Sequence, residues 1–291
     1  MGTTTLAGGK AFSATLLSIL VAHEMGHYLV ARYHGVEASL PHFIPLPPFF
    51  ILGTLGAVIT MRTDRAERNQ LLDIGAAGPI AGFLVAVPAM ILGIHLSREV
   101  SVAGGGPITF FGDSILSGLL VKLLRPELAA GHDLEAHPVM IGAWAGFMVT
   151  AINLLPLGQL DGGHVLYAWS PANAERWGRR IHRLLLVLGL IGVLVHGPTI
   201  LYALLDLVGV GGTAIPRALF DRLRPLYPWV SFGSLIWAFL GKATGLRHPP
   251  VRDLDQPLTP ARRAAAIACL LIALLTFMPN PVWVDGIWLA K

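Results

Sequence analysis

Between Ile74 and Leu96 the chain carries no Asp, Glu, Lys or Arg. A helix needs roughly 20 apolar residues to cross a bilayer, and an uncharged run of that length fits a membrane interior better than a soluble core. The run 138–157 is also uncharged, and 11–31 is long enough although it contains His23, Glu24 and His27. A fourth run, 184–205, is interrupted by His196-Gly197-Pro198, and the shorter runs 228–241 and 264–278 need flanking residues to complete a span. Charged residues make up 13% of the 291, against 54% apolar, and mean hydropathy is +0.65. That is about half the usual charged share, too little to cover a soluble globule. Disorder, a nucleic-acid module and a plain cytosolic enzyme are excluded on this ground. The expected fold is an all-α polytopic membrane protein of about six transmembrane helices, embedded in a lipid bilayer and with no nucleic-acid partner.

Loop charge gives an expected orientation. With the N-terminus outside, the inner loops are 32–73, 158–183 and 242–263, and they hold 13 of the 21 basic residues. Among these are Arg68, the group Arg176, Arg179, Arg180 and Arg183, and Arg247, Arg252, Arg262 and Arg263. Basic residues collect on the cytoplasmic side, so both termini are expected outside. Lys10 before an apolar stretch imitates a signal peptide, but no small-residue cleavage site follows, and the stretch is expected to persist as a helix. Cys269 is the one cysteine, so no intrachain disulfide can form.

The connections differ in kind. Pro41, Pro45, Pro47 and Pro48 disfavour helix, and the β-branched run after them predicts one or two short strands near 51–61 at the membrane face. The stretch 115–124 has the apolar spacing of a surface-lying amphipathic helix. Residues 247–260, rich in proline and charge, read as a loop.

His23-Glu24-Met25-Gly26-His27 has the HExxH spacing. On a helix, histidines four apart share one face and can direct two imidazoles at one metal, with the glutamate beside a water on that metal. Two imidazoles and a carboxylate inside a spanning helix cost several kcal/mol unless something satisfies them, which a divalent ion does. The alternative for the histidines is ordinary interhelical hydrogen bonding.

A mononuclear site needs a third protein ligand. Asp161 stands at the end of an apolar run, in Asn153-Leu-Leu-Pro156-Leu-Gly158-Gln-Leu160-Asp161-Gly162-Gly163-His164. Pro156, Gly158 and the Gly162-Gly163 pair are expected to break the third helix here, and broken backbone at membrane depth is tolerated where it lines a site. On spacing alone, Asp161 is equally a ligand or the cap of the helix that opens at Gly162. His164 is left outside the site.

Three separated motifs in order, His23-Glu-Met-Gly-His27-Tyr-Leu-Val-Ala-Arg32, Gly75-Ala-Ala-Gly78-Pro79-Ile-Ala-Gly82 and Asn153…Pro156…Leu160-Asp161-Gly162-Gly163, resemble the site-2 protease family of intramembrane zinc metalloproteases. The resemblance spans roughly 20–165, continues weakly in Gly241…Arg247-His248-Pro249-Pro250, and is closest to the bacterial and plastid branch. Loop 97–136 is too short for the PDZ insertion some members carry. The resemblance implies one zinc ion on His23, His27 and Asp161, Glu24 as general base, and Asn153 near the reacting carbonyl. The implied reaction is hydrolysis of peptide bonds within or beside transmembrane helices of membrane-protein substrates, in regulated intramembrane proteolysis. Residues 1–165 form the expected catalytic core and 166–291 the C-terminal transmembrane helices. The expected location is a bacterial inner (cell) membrane, with the site nearer the cytoplasmic face. Gly78, Gly82, Gly142 and Gly146 read as small-xxx-small pairs that let helices approach.

The alternative function is a metal-ion or proton-coupled transporter using the same His/Asp cluster. Transporters often carry inverted repeats, which this sequence does not show, and transport has no use for the base in HExxH. A catalytically silent scaffold is disfavoured because all four positions of the motif set are present.

Overall fold

The computed structural model describes residues 6–45, 54–58, 66–101, 108–129, 131–208, 217–243 and 245–285. Among them are nine α-helices: α1 (Leu6–Tyr33), α2 (Arg68–Leu96), α3 (Ile115–Leu124), α4 (Pro138–Asn153), α5 (Asp161–Trp169), α6 (Pro171–Leu207), α7 (Arg217–Leu223), α8 (Ser234–Ala243) and α9 (Pro260–Thr276). Six short strands pair antiparallel in three two-stranded sheets: β1 (His42–Pro45) with β2 (Thr54–Val58), β3 (Arg98–Ser101) with β5 (His132–Glu135), and β4 (Ile108–Phe111) with β6 (Val282–Asp285).

The main core is where α1, α2 and α4 meet, through Leu16, Ile19 and Leu20, then Ala86, Met90 and Ile94, then Ala143, Trp144 and Phe147. Small residues set the spacing, because without a strong hydrophobic drive in lipid, helices associate by close packing. A Cβ on Gly142 would lie 2.8 Å from that of Thr15, and one on Gly146 would lie 2.7 Å from Ile19 Cδ1. The opposite faces point apolar side chains outward: Leu84 and Leu92 of α2, Leu190 and Leu194 of α6, Leu270 and Leu274 of α9 are all exposed. Water would penalise that belt at about 25 cal/mol per Å²; lipid does not. The chain is an integral membrane protein.

Helices α1, α2 and α6 are long and apolar enough to cross a membrane. Among the described residues, three of the expected six spans are met by helices of that length. The 16 residues of α4 rise about 24 Å and the 10 of α8 about 15 Å. The run 228–241 is not one helix, because residues 224–233 form consecutive turns such as Tyr227 N–H to Arg224 and Trp229 N–H to Leu226. Pro225 and Pro228 supply no N–H there. The stretch 158–183 is largely helical, holding α5 and the first turns of α6, which starts on Pro171 and continues through Pro198. Proline suits a first helical position, and one inside a membrane helix is tolerated when neighbours satisfy the freed carbonyl.

The all-α expectation becomes a mostly helical fold. Strand β2 lies within the expected 51–61 segment, and β1 is its partner; residues 51–53 and 59–61 lie outside the described residues. The other four strands were not legible, since β4 pairs with β6 across more than half the chain. The expected 115–124 helix is present as α3, started by Ser114 and Ser117 bonding each other's backbone N–H at 3.0 and 2.8 Å. Its Leu116, Leu120 and Leu124 pack on the core, while Ile115, Leu119 and Leu123 face outward.

Charged side chains tie the helices together at one end. The Arg68 guanidinium donates to the carbonyls of Ala168 at 2.7 Å and of Leu254 and Gln256 at 2.9 Å. Arg262 bonds both oxygens of Asp73, at 2.8 to 3.0 Å. The segment before α9 is thereby strapped over α2 and the end of α5.

Candidate metal centre

Four residues apart on α1, His23 and His27 point the same way, their ring centroids 4.9 Å apart and their planes at 71°. Both are buried, as is Glu24. The space they occupy is cut into α2 by missing side chains. A Cβ on Gly78 would lie 2.1 Å from His27 Nε2, and one on Gly82 would lie 3.3 Å from His23 Nδ1. On the other helix, a Cβ on Gly26 would lie 2.6 Å from the Ala77 carbonyl oxygen. The glycines do bring the helices together as expected; what spacing could not tell is that two of them seat the imidazoles.

Asp161 arrives from the broken end of α4. That helix stops at Asn153, and residue 155, which precedes Pro156, is biased away from helical geometry. Gly158 then takes a φ of +49°, in the left-handed region that favours glycine. The chain doubles back so closely that a Cβ on Gly162 would lie 2.0 Å from the Leu154 oxygen, and one on Gly163 would lie 2.3 Å from the Gly158 oxygen. The Gly162-Gly163 pair is thus a steric condition for the turn that carries Asp161. Leu160 is the N-cap of α5 and Asp161 its first helical residue, so the aspartate does not serve as the cap.

Instead its carboxylate meets the two rings. Asp161 Oδ2 is 3.1 Å from His23 Nε2, Oδ1 is 3.3 Å from His27 Nε2, and the two Nε2 atoms are 3.2 Å apart. His27 Nδ1 lies 2.7 Å from the Ile74 carbonyl oxygen, to which it must donate. In the neutral ring this leaves Nε2 as a lone pair. In the tautomer that leaves His23 Nε2 unprotonated as well, lone pairs of two rings and a carboxylate converge, and such a set is satisfied by a cation. Ligands about 2.0–2.2 Å from a tetrahedral zinc lie roughly 3.3 Å from one another, close to all three separations seen here. These residues fit a single divalent ion, and among the described residues they are the one such group.

Asn153, the last residue of α4, places Nδ2 3.4 Å from His23 Nε2. Glu24 is buried on the same turn as the histidines, near enough to interact electrostatically with His27 and Asp161. All five residues singled out from the sequence therefore meet in one place. The profile of Peptidase family M50 matches residues 11–195, a stretch that contains the whole cluster.

The chain belongs to peptidase family M50. Over 270 residues, 91% of this M50 chain, it is 34% identical to the protein named probable zinc metalloprotease EGY2, chloroplastic, of Oryza sativa subsp. indica. It is 33% identical over 160 residues to the Arabidopsis thaliana protein of the same name, and 36% identical over 164 residues to probable zinc metalloprotease EGY1, chloroplastic, of Arabidopsis thaliana, covering 54% and 55% of the chain. The matches span 41%, 28% and 29% of those relatives' own lengths, so the chain corresponds to less than half of each. No solved structure matches. These plant relatives agree with the plastid side of the resemblance and do not bear on its bacterial side.

Two further histidines beside the cluster were not singled out from the sequence. His164, one turn after Asp161 on α5, is buried against Gly75, where a Cβ would lie 3.0 Å from its own. Its Nδ1 is 2.6 Å from Nε2 of His248 in the segment before α9. The available signal was the tract Arg247-His248-Pro249-Pro250, but nothing local connects it to a helix 84 residues earlier.

Proposed function

We propose that this chain is an intramembrane zinc metalloprotease that hydrolyses peptide bonds within or next to transmembrane helices of membrane-protein substrates, in regulated intramembrane proteolysis. The observation that carries this reading is the convergence of three side chains that can ligate a metal, their contacts at 3.1 to 3.3 Å, one residue from a buried glutamate. His23, His27 and Asp161 would hold one zinc ion. When bound, such an ion lowers the pKa of an attached water toward ~7 and polarises the scissile carbonyl. Glu24 takes the proton of the attacking water and passes it to the departing amine. The Asn153 amide, at the same face, donates to the oxygen that gains negative charge.

Access follows from the surroundings. An apolar cavity of about 560 Å³ adjoins the Asp161 turn, lined by Leu154, Gly162, Val165, Trp177, Ile267 and Leu270, and it suits an apolar segment arriving from lipid. The substrate helix must unwind first, because its carbonyls are already hydrogen-bonded. The sheet of β1 and β2 follows α1 and is a candidate to pair with the unwound stretch by strand addition. Residues 1–165 then form the catalytic core, and 166–291 the helices that brace it, the shorter α4, α8 and α9 completing six membrane-embedded segments with α1, α2 and α6. Loop charge favours a site nearer the cytoplasmic face; the bacterial cell membrane is the location taken from the resemblance alone.

The test is Glu24→Gln in proteoliposomes containing single-span peptides. Zinc content is expected to stay at one ion while cleavage falls by about 10²–10⁴-fold, the usual loss for a general base. Cleavage that persists in this variant defeats the reading, as does wild-type protein that moves zinc across the vesicle without hydrolysing peptide, which is the transporter outcome.

A further inference from the structure

His248 belongs to no helix, yet it makes three contacts on α5 and its own strand of chain. Its ring stacks on Tyr167 with centroids 4.3 Å apart and planes at 15°. Its Nε2 is 2.6 Å from His164 Nδ1, and its Nδ1 is 2.6 Å from the carbonyl oxygen of Pro249. The carbonyl can only accept, so Nδ1 carries the proton and donates. Burial lowers the His248 pKa below the usual histidine value, which keeps the ring neutral and Nε2 an acceptor. His164 Nδ1–H is then the donor across the pair.

We propose that His248 is a positioning residue, whose Nε2 holds His164 and thereby fixes the rotation of α5 that aims Asp161 at His23 and His27. The inference rests on the proposed role of those three residues as metal ligands. The geometry suits the task. Positions 164 and 167 are neighbours on one helix face, so a single ring grips α5 at two points within two turns of Asp161. The helix has only nine residues, and its N-cap Leu160 offers no side-chain bond, so little within it resists rotation. The segment that presents His248 is anchored independently on both sides of it: Arg247 donates to Glu175 of α6 at 2.8 Å, and Arg68 of α2 holds Leu254 and Gln256. A restraint beyond the ligands of this kind commonly changes metal affinity by about 10–100-fold.

The test measures zinc affinity of the full chain by chelator competition, together with the visible spectrum of its cobalt form. His248→Phe keeps a ring to stack on Tyr167 but has no acceptor; its affinity is expected to fall about 10–100-fold, with shifted cobalt bands. His248→Gln restores an acceptor near the Nε2 position and is expected to stay within about threefold of wild type, below that range. The proposal is overturned if the phenylalanine variant matches wild type on both readouts, or if the glutamine variant loses as much as the phenylalanine. Should His248→Phe not be recovered folded, His164→Asn, which keeps a donor at the δ position, and His164→Leu, which removes it, decide by the same readouts, equal affinities overturning the proposal. Wild-type protein that binds no zinc sinks the functional reading and this one together, whereas normal wild-type binding with indifferent variants removes the positioning role alone.

Discussion

His27 on α1 and His196 on α6 are both buried, 5% and 6% exposed, in long apolar helices, yet their polar partners differ in kind. Around His196, backbone carbonyls take the donors, with the Asn280 amide nitrogen also 3.3 Å from His196 Nε2. Its Nε2–H donates to the Val230 carbonyl at 2.8 Å, the nearby Asn280 amide donates to the Tyr227 carbonyl at 2.7 Å, and the Tyr227 hydroxyl pairs with Thr199 at 2.6 Å. That cluster settles its desolvation cost with protein groups alone, as buried polar groups normally do. Around His27 one bond has this form, the Nδ1–H to Ile74; on the other side two ring nitrogens and a carboxylate, all of them possible metal ligands, lie 3.1 to 3.3 Å apart. A buried membrane histidine is therefore not in itself a ligand signal. Lone pairs converging without a proton to share are.

The contrast breaks most visibly at Asp161. Asp161→Ala removes one of three ligands and is expected to lower zinc affinity on the order of 10²-fold or more, beyond the loss typical of an outer partner. Chelator competition reads this directly. Zinc retained with near wild-type affinity would mean that the convergence of Asp161 with the rings is not a coordination set.

Gly78→Ala sharpens the comparison without touching a ligand. The added methyl would stand 2.1 Å from His27 Nε2, so either the ring swings away or α1 and α2 separate. The ring is held at Nδ1 by Ile74 and cannot swing freely. Zinc affinity is expected to fall about tenfold or more, with a loss of stability in the 1–3 kcal/mol range usual for overpacking. Gly197→Ala on α6 is the control, since a Cβ there meets nothing within 4 Å. If Gly78→Ala behaves like the control, the notion that α2 is carved to seat the imidazoles fails.

How far the sequence was legible follows the reach of each signal. His23, Glu24 and His27 declare themselves because their relation is one helical turn. Spacing alone left Asp161 open between ligand and cap; the family resemblance chose ligand, and the backbone puts Leu160 at the cap and the carboxylate between two rings. Pro156, Gly158 and Gly162-Gly163 correctly marked the break in α4, since local sterics decide it. The span count was less legible. Composition sees apolar runs but not that turns at 224–233 shorten α8, nor that α6 begins at Pro171 among arginines. His248 and the β4–β6 pairing escaped for a simpler reason: their partners are remote in sequence, and no local periodicity records them.

The smallest effect tests the other half of the comparison. His196→Leu keeps apolar volume but leaves the Val230 carbonyl without its donor inside the fold, a cost of about 1–3 kcal/mol for a buried unsatisfied group. Thermal unfolding in detergent should register that loss, while zinc affinity and peptide cleavage stay at wild-type values, because α6 gives no ligand to the site. If His196→Leu instead strips the metal with stability unchanged, the cluster is coupled to the metal centre rather than self-contained. The distinction between paired and convergent buried histidines would then no longer separate the two halves of the molecule.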